Sequence, residues 1–200
     1  MEVLLTGFEP FLEHRENPSQ ILVEKMDHQH RLSPIRESLK LTTRVLPVDY
    51  EESWQQVLGL LEERESQGRG FQWVLCTGLA ADRHCLSLEA GARNWMKWPD
   101  PAVVEGALGG KEILPGERGF LPSALPWTEA LGRLQASGIS AEISQDAGSY
   151  VCNFLTYRLL HHLDSSSAQA GFIHIPPFAA LAPELSLKAL EILLQLACEP

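Results

Sequence analysis

Phe71-Gln72-Trp73-Val74-Leu75-Cys76-Thr77-Gly78 is a short run rich in apolar and aromatic side chains that stops at a glycine, and it reads as a buried strand. What precedes it decides the fold. Residues 1–6 read as a first buried strand, leading into a Gly7-Phe8-Glu9-Pro10-Phe11 loop. Asn17-Pro18 then opens a helix, a capping side chain followed by proline at the first helical position, carried to about Met26 by Ile21, Leu22 and Lys25. Leu39 to Val48 is the second strand. Asp49 and Glu52 have capping-box spacing, and Trp54, Val57, Leu58 and Leu61 give the next helix an apolar face. Strand, helix, strand, helix, strand predicts an α/β fold: a single-domain three-layer sandwich, with a twisted, mainly parallel sheet and helices on both faces. In such folds the functional loops lie beyond the carboxyl ends of the strands, where Gly7 and Gly78 fall.

The rest of the chain continues the alternation with one interruption. Residues 95–122 carry repeated Gly and Pro and read as a long loop, commonly a lid or a subunit contact. Ser123 to Ala136 reads as a helix and Ile139 to Ile143 as a short strand; helical spacing resumes from Tyr150 through Phe154, Leu155, Tyr157, Leu159, Leu160 and Leu163. Gly171 to Phe178 is a further strand that Pro176-Pro177 must end, and Pro183 to Ala197 closes the chain as an amphipathic helix.

Composition narrows the function classes. A net charge of -10 with scattered basic residues offers no footprint for nucleic acid or an anionic membrane. The N-terminal residues lack the basic region and apolar length of a signal peptide, and no segment approaches membrane-spanning length, so a soluble, cytoplasmic protein is expected. Cys76, Cys85, Cys152 and Cys198 form no Cys-x-x-Cys pair, which argues for reduced thiols and against a disulfide framework or zinc site. His28-Gln29-His30 has no acidic or cysteine partner nearby and reads as a solvated loop. Gly110-Lys111 resembles the end of a phosphate loop, but Glu105 stands where that motif needs glycine and Glu112 where it needs Ser or Thr.

Three residues carry candidate chemistry. Cys152 falls in the first turn of a helix behind a Gly148 turn and a Ser149 cap, where unpaired N–H groups and the helix dipole favour a thiolate; the alternative is a small buried apolar side chain. Glu89, among Leu86, Leu88 and small residues, is either a half-buried carboxylate in need of a partner or a surface residue of an edge strand. His174 stands at a strand end, as a site residue or a packed histidine. Phe8 and Phe11 either plug the core or wall a site.

Four motifs, in order along nearly the whole chain, resemble the pyroglutamyl peptidase I family of cysteine peptidases. They are Thr6-Gly7-Phe8-Glu9-Pro10-Phe11 with Asn17-Pro18; Leu88-Glu89 with Asn94; Asp146-Ala147-Gly148 with Tyr150-Val151-Cys152-Asn153; and Phe172-Ile173-His174-Ile175-Pro176. The resemblance implies Cys152 as nucleophile, His174 as general base and acid, and Glu89 as the residue that orients the imidazole. Phe8, Phe11, Tyr150 and Val151 correspond to positions around the pyroglutamyl ring. It further implies peptides with N-terminal pyroglutamate as substrates, no cofactor or metal, residues 1–200 as one peptidase domain, and often a homo-oligomer. Departures are Leu12-Glu13, where many members have two glycines, and Leu79-Ala80-Ala81-Asp82, where bacterial members often have Gln-Ala-Gly-Gly before the arginine. Relatives supply a basic residue near the oxyanion from the segment after Asn94, and here Arg93, Lys97 or neither takes that part. A non-catalytic binding protein, and an amidase or thioesterase of altered acyl specificity, are the rival readings.

Overall fold

The computed structural model describes residues 1–11, 14–32, 35, 37–97 and 109–199. Leu12, Glu13 and the 98–108 part of the Gly- and Pro-rich stretch lie outside the described residues. In chain order the elements are β1 (Glu2–Phe8), α1 (Pro18–Leu32), β2 (Lys40–Leu46), α2 (Tyr50–Ser66), β3 (Trp73–Leu79), β4 (Leu86–Glu89), β5 (Gly91–Arg93), β6 (Met96–Lys97), β7 (Gly110–Lys111), β8 (Phe120–Pro122), α3 (Trp127–Ala136), β9 (Ala141–Ser144), α4 (Val151–His162), β10 (Gln169–Ile175) and α5 (Pro183–Leu196).

Six strands form one sheet in the order β2-β1-β3-β10-β4-β9. The first four run parallel; β4 pairs antiparallel with β10 and parallel with β9, so the sheet is mixed but mostly parallel. Alternation along the strands then divides the interior into two cores. Val3 and Leu5, Trp73 and Leu75, and Ile173 and Ile175 face α1, α3 and α5; Leu4 and Phe8, Val74 and Cys76, and Ala170 and Phe172 face α2 and α4. Each fully buried Leu, Ile or Phe in these layers contributes about 1.5–3 kcal/mol relative to an exposed one. This is the expected three-layer α/β sandwich. Among the described residues no helix is long and apolar enough to cross a membrane.

Several boundaries differ from the sequence expectation for identifiable reasons. β1 continues through Gly7 and Phe8, because both still pair with Val45 and Leu46 of β2; Phe8 is therefore a strand residue facing the α2–α4 core, not part of a loop. β3 likewise runs past Gly78 to Leu79, paired with His174 and Ile175 of β10. α1 does not stop near Met26. No glycine or proline interrupts Asp27 to Leu32, so the polar turn stays helical, placing His28 and His30 on a helix rather than in a loop. The His30 ring lies 3.2 Å from the Leu39 carbonyl, joining that last turn to the start of β2. The 95–122 stretch contributes β6, β7 and β8 where it is described, with β8 pairing β5 and β6 pairing β7.

Candidate active site

The register of the sheet assembles the site. Phe172 and His174 share the β10 face that looks toward α4, and their rings lie 4.8 Å apart. Opposite, on the antiparallel neighbour, His174 pairs with Ser87, which puts Glu89 two residues along on the same face, a diagonal cross-strand neighbour. Glu89 is fully buried, which rules out the edge-surface alternative. His174 Nδ1 stands 2.7 Å from Glu89 Oε1. A carboxylate only accepts, so Nδ1 carries a proton, and in the neutral imidazole Nε2 is then the nitrogen with the lone pair.

Cys152 enters from the other layer. A glycine in the left-handed region, Gly148 (φ +80), turns the chain after β9, and its N–H donates to Asp146 Oδ1 at 3.0 Å. The expected Ser149 cap is not formed: α4 begins at Val151 with Tyr150 in the cap position and no side-chain cap bond, because the Ser149 carbonyl is engaged by the Lys97 N–H at 2.7 Å and the loop runs extended through Tyr150. Phe154 N–H is the first to bond back along the helix, to the Tyr150 carbonyl at 3.0 Å, so the N–H groups of Val151, Cys152 and Asn153 stand outside the helical ladder. Beneath Cys152 lies Gly78, where a Cβ would come within 3.0 Å of Sγ and 2.8 Å of Phe172 Cζ. Only a residue without a side chain leaves room for the sulfur there.

The thiol differs from its sequence expectation. Burial pushes Cys152 up to about 12, reinforced by the Glu89 carboxylate, and outweighs the lowering from the helix backbone and Arg83. Unaided, it rests as a thiol at neutral pH. Glu89 goes the other way: burial raises its carboxyl, but the hydrogen bond and charge of His174, the Ser144 hydroxyl and the Arg83 guanidinium together hold it below its ordinary value.

One cavity of about 420 Å³ collects these groups. Cys152 and His174 line it, together with Phe8, Phe11, Tyr150 and Val151, so all four residues expected around the ring reach the same space. Tyr150 is largely exposed at the rim and meets Tyr50 edge-on at 5.5 Å, whose hydroxyl donates to the Lys97 carbonyl at 2.7 Å. Phe8 and Val151 are buried walls. Asn94, quoted among the motifs, has a bracing part: its side chain bonds both the Leu114 carbonyl and the Leu114 N–H, at 2.7 and 2.9 Å. Among the described residues no group of three or more His, Cys, Asp or Glu could hold a metal ion.

Sequence reasoning assigned no part in the site's chemistry to three residues. Arg83 lines the cavity, donating from Nη1 to Glu89 Oε1 and from Nη2 to the Asp146 carbonyl, both at 2.6 Å. Neither Arg93 nor Lys97 lines it; Arg93 reaches outward to Asp146 at 3.5 Å. Asn153, fully buried behind Cys152, holds the Arg93 and Trp95 carbonyls at 2.9 and 2.8 Å and receives the Arg93 N–H at 2.9 Å. Asn17 bonds the Glu9 carbonyl at 3.0 Å beside Phe8 and also lines the cavity. Their sequence signals were their place within or beside the four motifs and, for Asn17, the helix cap before Pro18.

The chain resembles known proteins over most of its length. Residues 1–188 match the family model described as pyroglutamyl peptidase. A pyrrolidone-carboxylate peptidase of Oceanobacillus iheyensis is 32% identical over 183 residues, covering 90% of this chain and 86% of that one. One from Gloeobacter violaceus is 36% identical over 182 residues, covering 88% and 82%. The crystal structure of pyrrolidone carboxyl peptidase from the hyperthermophile Pyrococcus furiosus superposes with a TM-score of 0.83 at 28% identity, covering 98% of both chains. With sequence and fold in agreement, the chain belongs to the pyroglutamyl peptidase family.

Proposed function

We propose that this chain is a cysteine exopeptidase that removes N-terminal pyroglutamate from peptides, with Cys152 as nucleophile, His174 as general base and acid, and Glu89 as the orienting carboxylate. The observation that carries the reading is the convergence of the Glu89–His174 hydrogen bond and Cys152 on one aromatic-walled cavity. Because burial keeps the resting sulfur protonated, His174 Nε2 takes its proton as Sγ attacks the pyroglutamyl carbonyl. The N–H groups at the start of α4 face the developing oxyanion, an arrangement typically worth a few kcal/mol. The carbon–nitrogen bond breaks as His174 returns the proton to the departing amine. Water, deprotonated by His174, then hydrolyses the thioester, releasing pyroglutamate and the free thiol.

Pyroglutamate is a neutral lactam, so its site needs apolar walls and few polar groups; Phe8, Phe11, Val151 and Tyr150 are suited to that. Residues 1–200 then act as one peptidase domain in the reducing cytoplasm, in keeping with four cysteines that form no disulfide. The test is hydrolysis of a fluorogenic pyroglutamyl amide by wild type and Cys152→Ala. Release by wild type and loss in the variant are expected. No release by wild type overturns the peptidase reading, and release that survives the substitution overturns the nucleophile. Leu79 also lines the cavity, so prolyl and acetyl amides in the same assay examine the altered-acyl alternative.

A further inference from the structure

Glu89 has two oxygens and uses them unequally. Oε1 accepts from both His174 Nδ1 at 2.7 Å and Arg83 Nη1 at 2.6 Å, while no partner among the described residues stands within hydrogen-bond distance of the buried Oε2. The base and a permanent cation therefore share one acceptor atom. Arg83 reaches it from the loop after β3, and its second nitrogen holds the Asp146 carbonyl, in the turn that delivers Cys152.

We propose that Arg83 is a positioning residue for the peptidase reaction: it divides the charge of Glu89 between itself and His174, and ties the orienting carboxylate to the nucleophile's loop. This rests on the peptidase reading above. A guanidinium is charged at every working pH, so its contact with Oε1 permanently offsets part of the carboxylate's field. Without it, the whole charge of a buried carboxylate falls on the imidazole. The Glu89–His174 pair then takes up an extra proton at higher pH, whichever partner holds it, and a protonated pair cannot accept the thiol proton.

The other groups around the pair do not substitute for this charge. Cys152 on α4 and Cys76 on β3 are thiols pushed up to about 12. Asp82 and Asp146 line the same cavity, and Glu142 on β9 accepts from Ser87 at 3.0 Å behind the pair; all three are acidic. Among the described residues that line the cavity, Arg83 supplies the one permanent positive charge.

Two readouts test the proposal on the whole chain. One is the pH profile of kcat/KM for a pyroglutamyl amide; the other is the NMR titration of the His174 ring in a Cys152→Ala background, which needs no activity. With Arg83→Gln, the acid limb and the ring titration both move to higher pH by about one unit. With Arg83→Lys, both stay near the wild-type position, while kcat/KM falls because one ammonium cannot hold Glu89 and Asp146 together. A folded Arg83→Gln variant with both curves unmoved overturns the proposal. So does an Arg83→Lys variant that moves as far as the Gln variant. If Arg83→Gln does not fold, Arg83→Lys decides alone: curves that stay support the proposal, and curves that move overturn it. If wild type cleaves no pyroglutamyl amide, the peptidase reading fails, and the ring titration still answers for Arg83.

Discussion

Gly78→Ala is the most direct test of how the site is built. The new Cβ would stand 2.8 Å from Phe172 Cζ and 3.0 Å from Cys152 Sγ, where ordinary contact begins at 3.4 Å. Relief requires the ring to retreat by about 0.6 Å and the sulfur by about 0.4 Å, the differences between those distances and 3.4 Å. The sulfur can move toward the cavity that Cys152 lines, but the ring has no free direction. Phe172 is fully buried between Phe8, at 6.4 Å between ring centres, and the His174 ring, at 4.8 Å. Movement of the ring therefore displaces either Phe8, a wall of the cavity, or His174. Overpacking of this kind costs about 1–3 kcal/mol of stability. Misplacing a nucleophile by a fraction of an ångström to an ångström lowers kcat by up to about 100-fold. The assay is kcat and KM on a pyroglutamyl amide alongside thermal melting. Gly132→Ala in α3, where a Cβ meets nothing within 4 Å, serves as the control and should gain about 0.5–1 kcal/mol with activity intact. A Gly78→Ala enzyme with wild-type kcat and melting temperature would refute the account of β3 as the floor beneath Cys152.

Two further outcomes follow from buried polar groups. Asn153→Ala removes three hydrogen bonds that bind the Arg93–Trp95 strand edge to α4, and should cost about 2–3 kcal/mol by denaturant titration, with kcat reduced as well because Cys152 is the preceding residue. Glu89 is held below its ordinary value of 4.5, so the stability it contributes is complete above that pH and is lost as pH falls through the lowered folded value. Melting temperature should therefore fall steeply on the acid side of 4.5, and Glu89→Gln should flatten that acid arm; an unchanged arm would mean the carboxylate is not stabilised in its charged form.

What the sequence disclosed and what it hid separate along one physical line. The strand and helix alternation, the Gly148 turn and the position of Cys152 in a first helical turn are written in local signals: periodicity, capping residues, glycine and proline. The chemistry at those positions is not local. Cys152 sits where the helix terminus favours a thiolate, yet burial against the sheet reverses the sign, and no window of sequence around it encodes that desolvation. Glu89 and His174 are 85 residues apart and meet through an antiparallel pairing of β4 with β10 that the mainly parallel pattern does not suggest. Arg83 lay outside the four motifs, at the end of a stretch that departs from the family, and had no assignable role, because its partners are an acid on β4 and a carbonyl in a distant loop. Register is what converts the first kind of information into the second. His174 opposes Gly78 across the β3–β10 ladder, and Phe172 and His174 alternate with Ile173 and Ile175, which face α1 and α5. A slip of one residue in β10 would turn the imidazole into the leucine core of α5 and present an isoleucine to Cys152. The cost of burying His174 there, and the loss of Ile173 and Ile175 from the opposite core, hold the register in place, so the packing of the far layer specifies the face that carries His174.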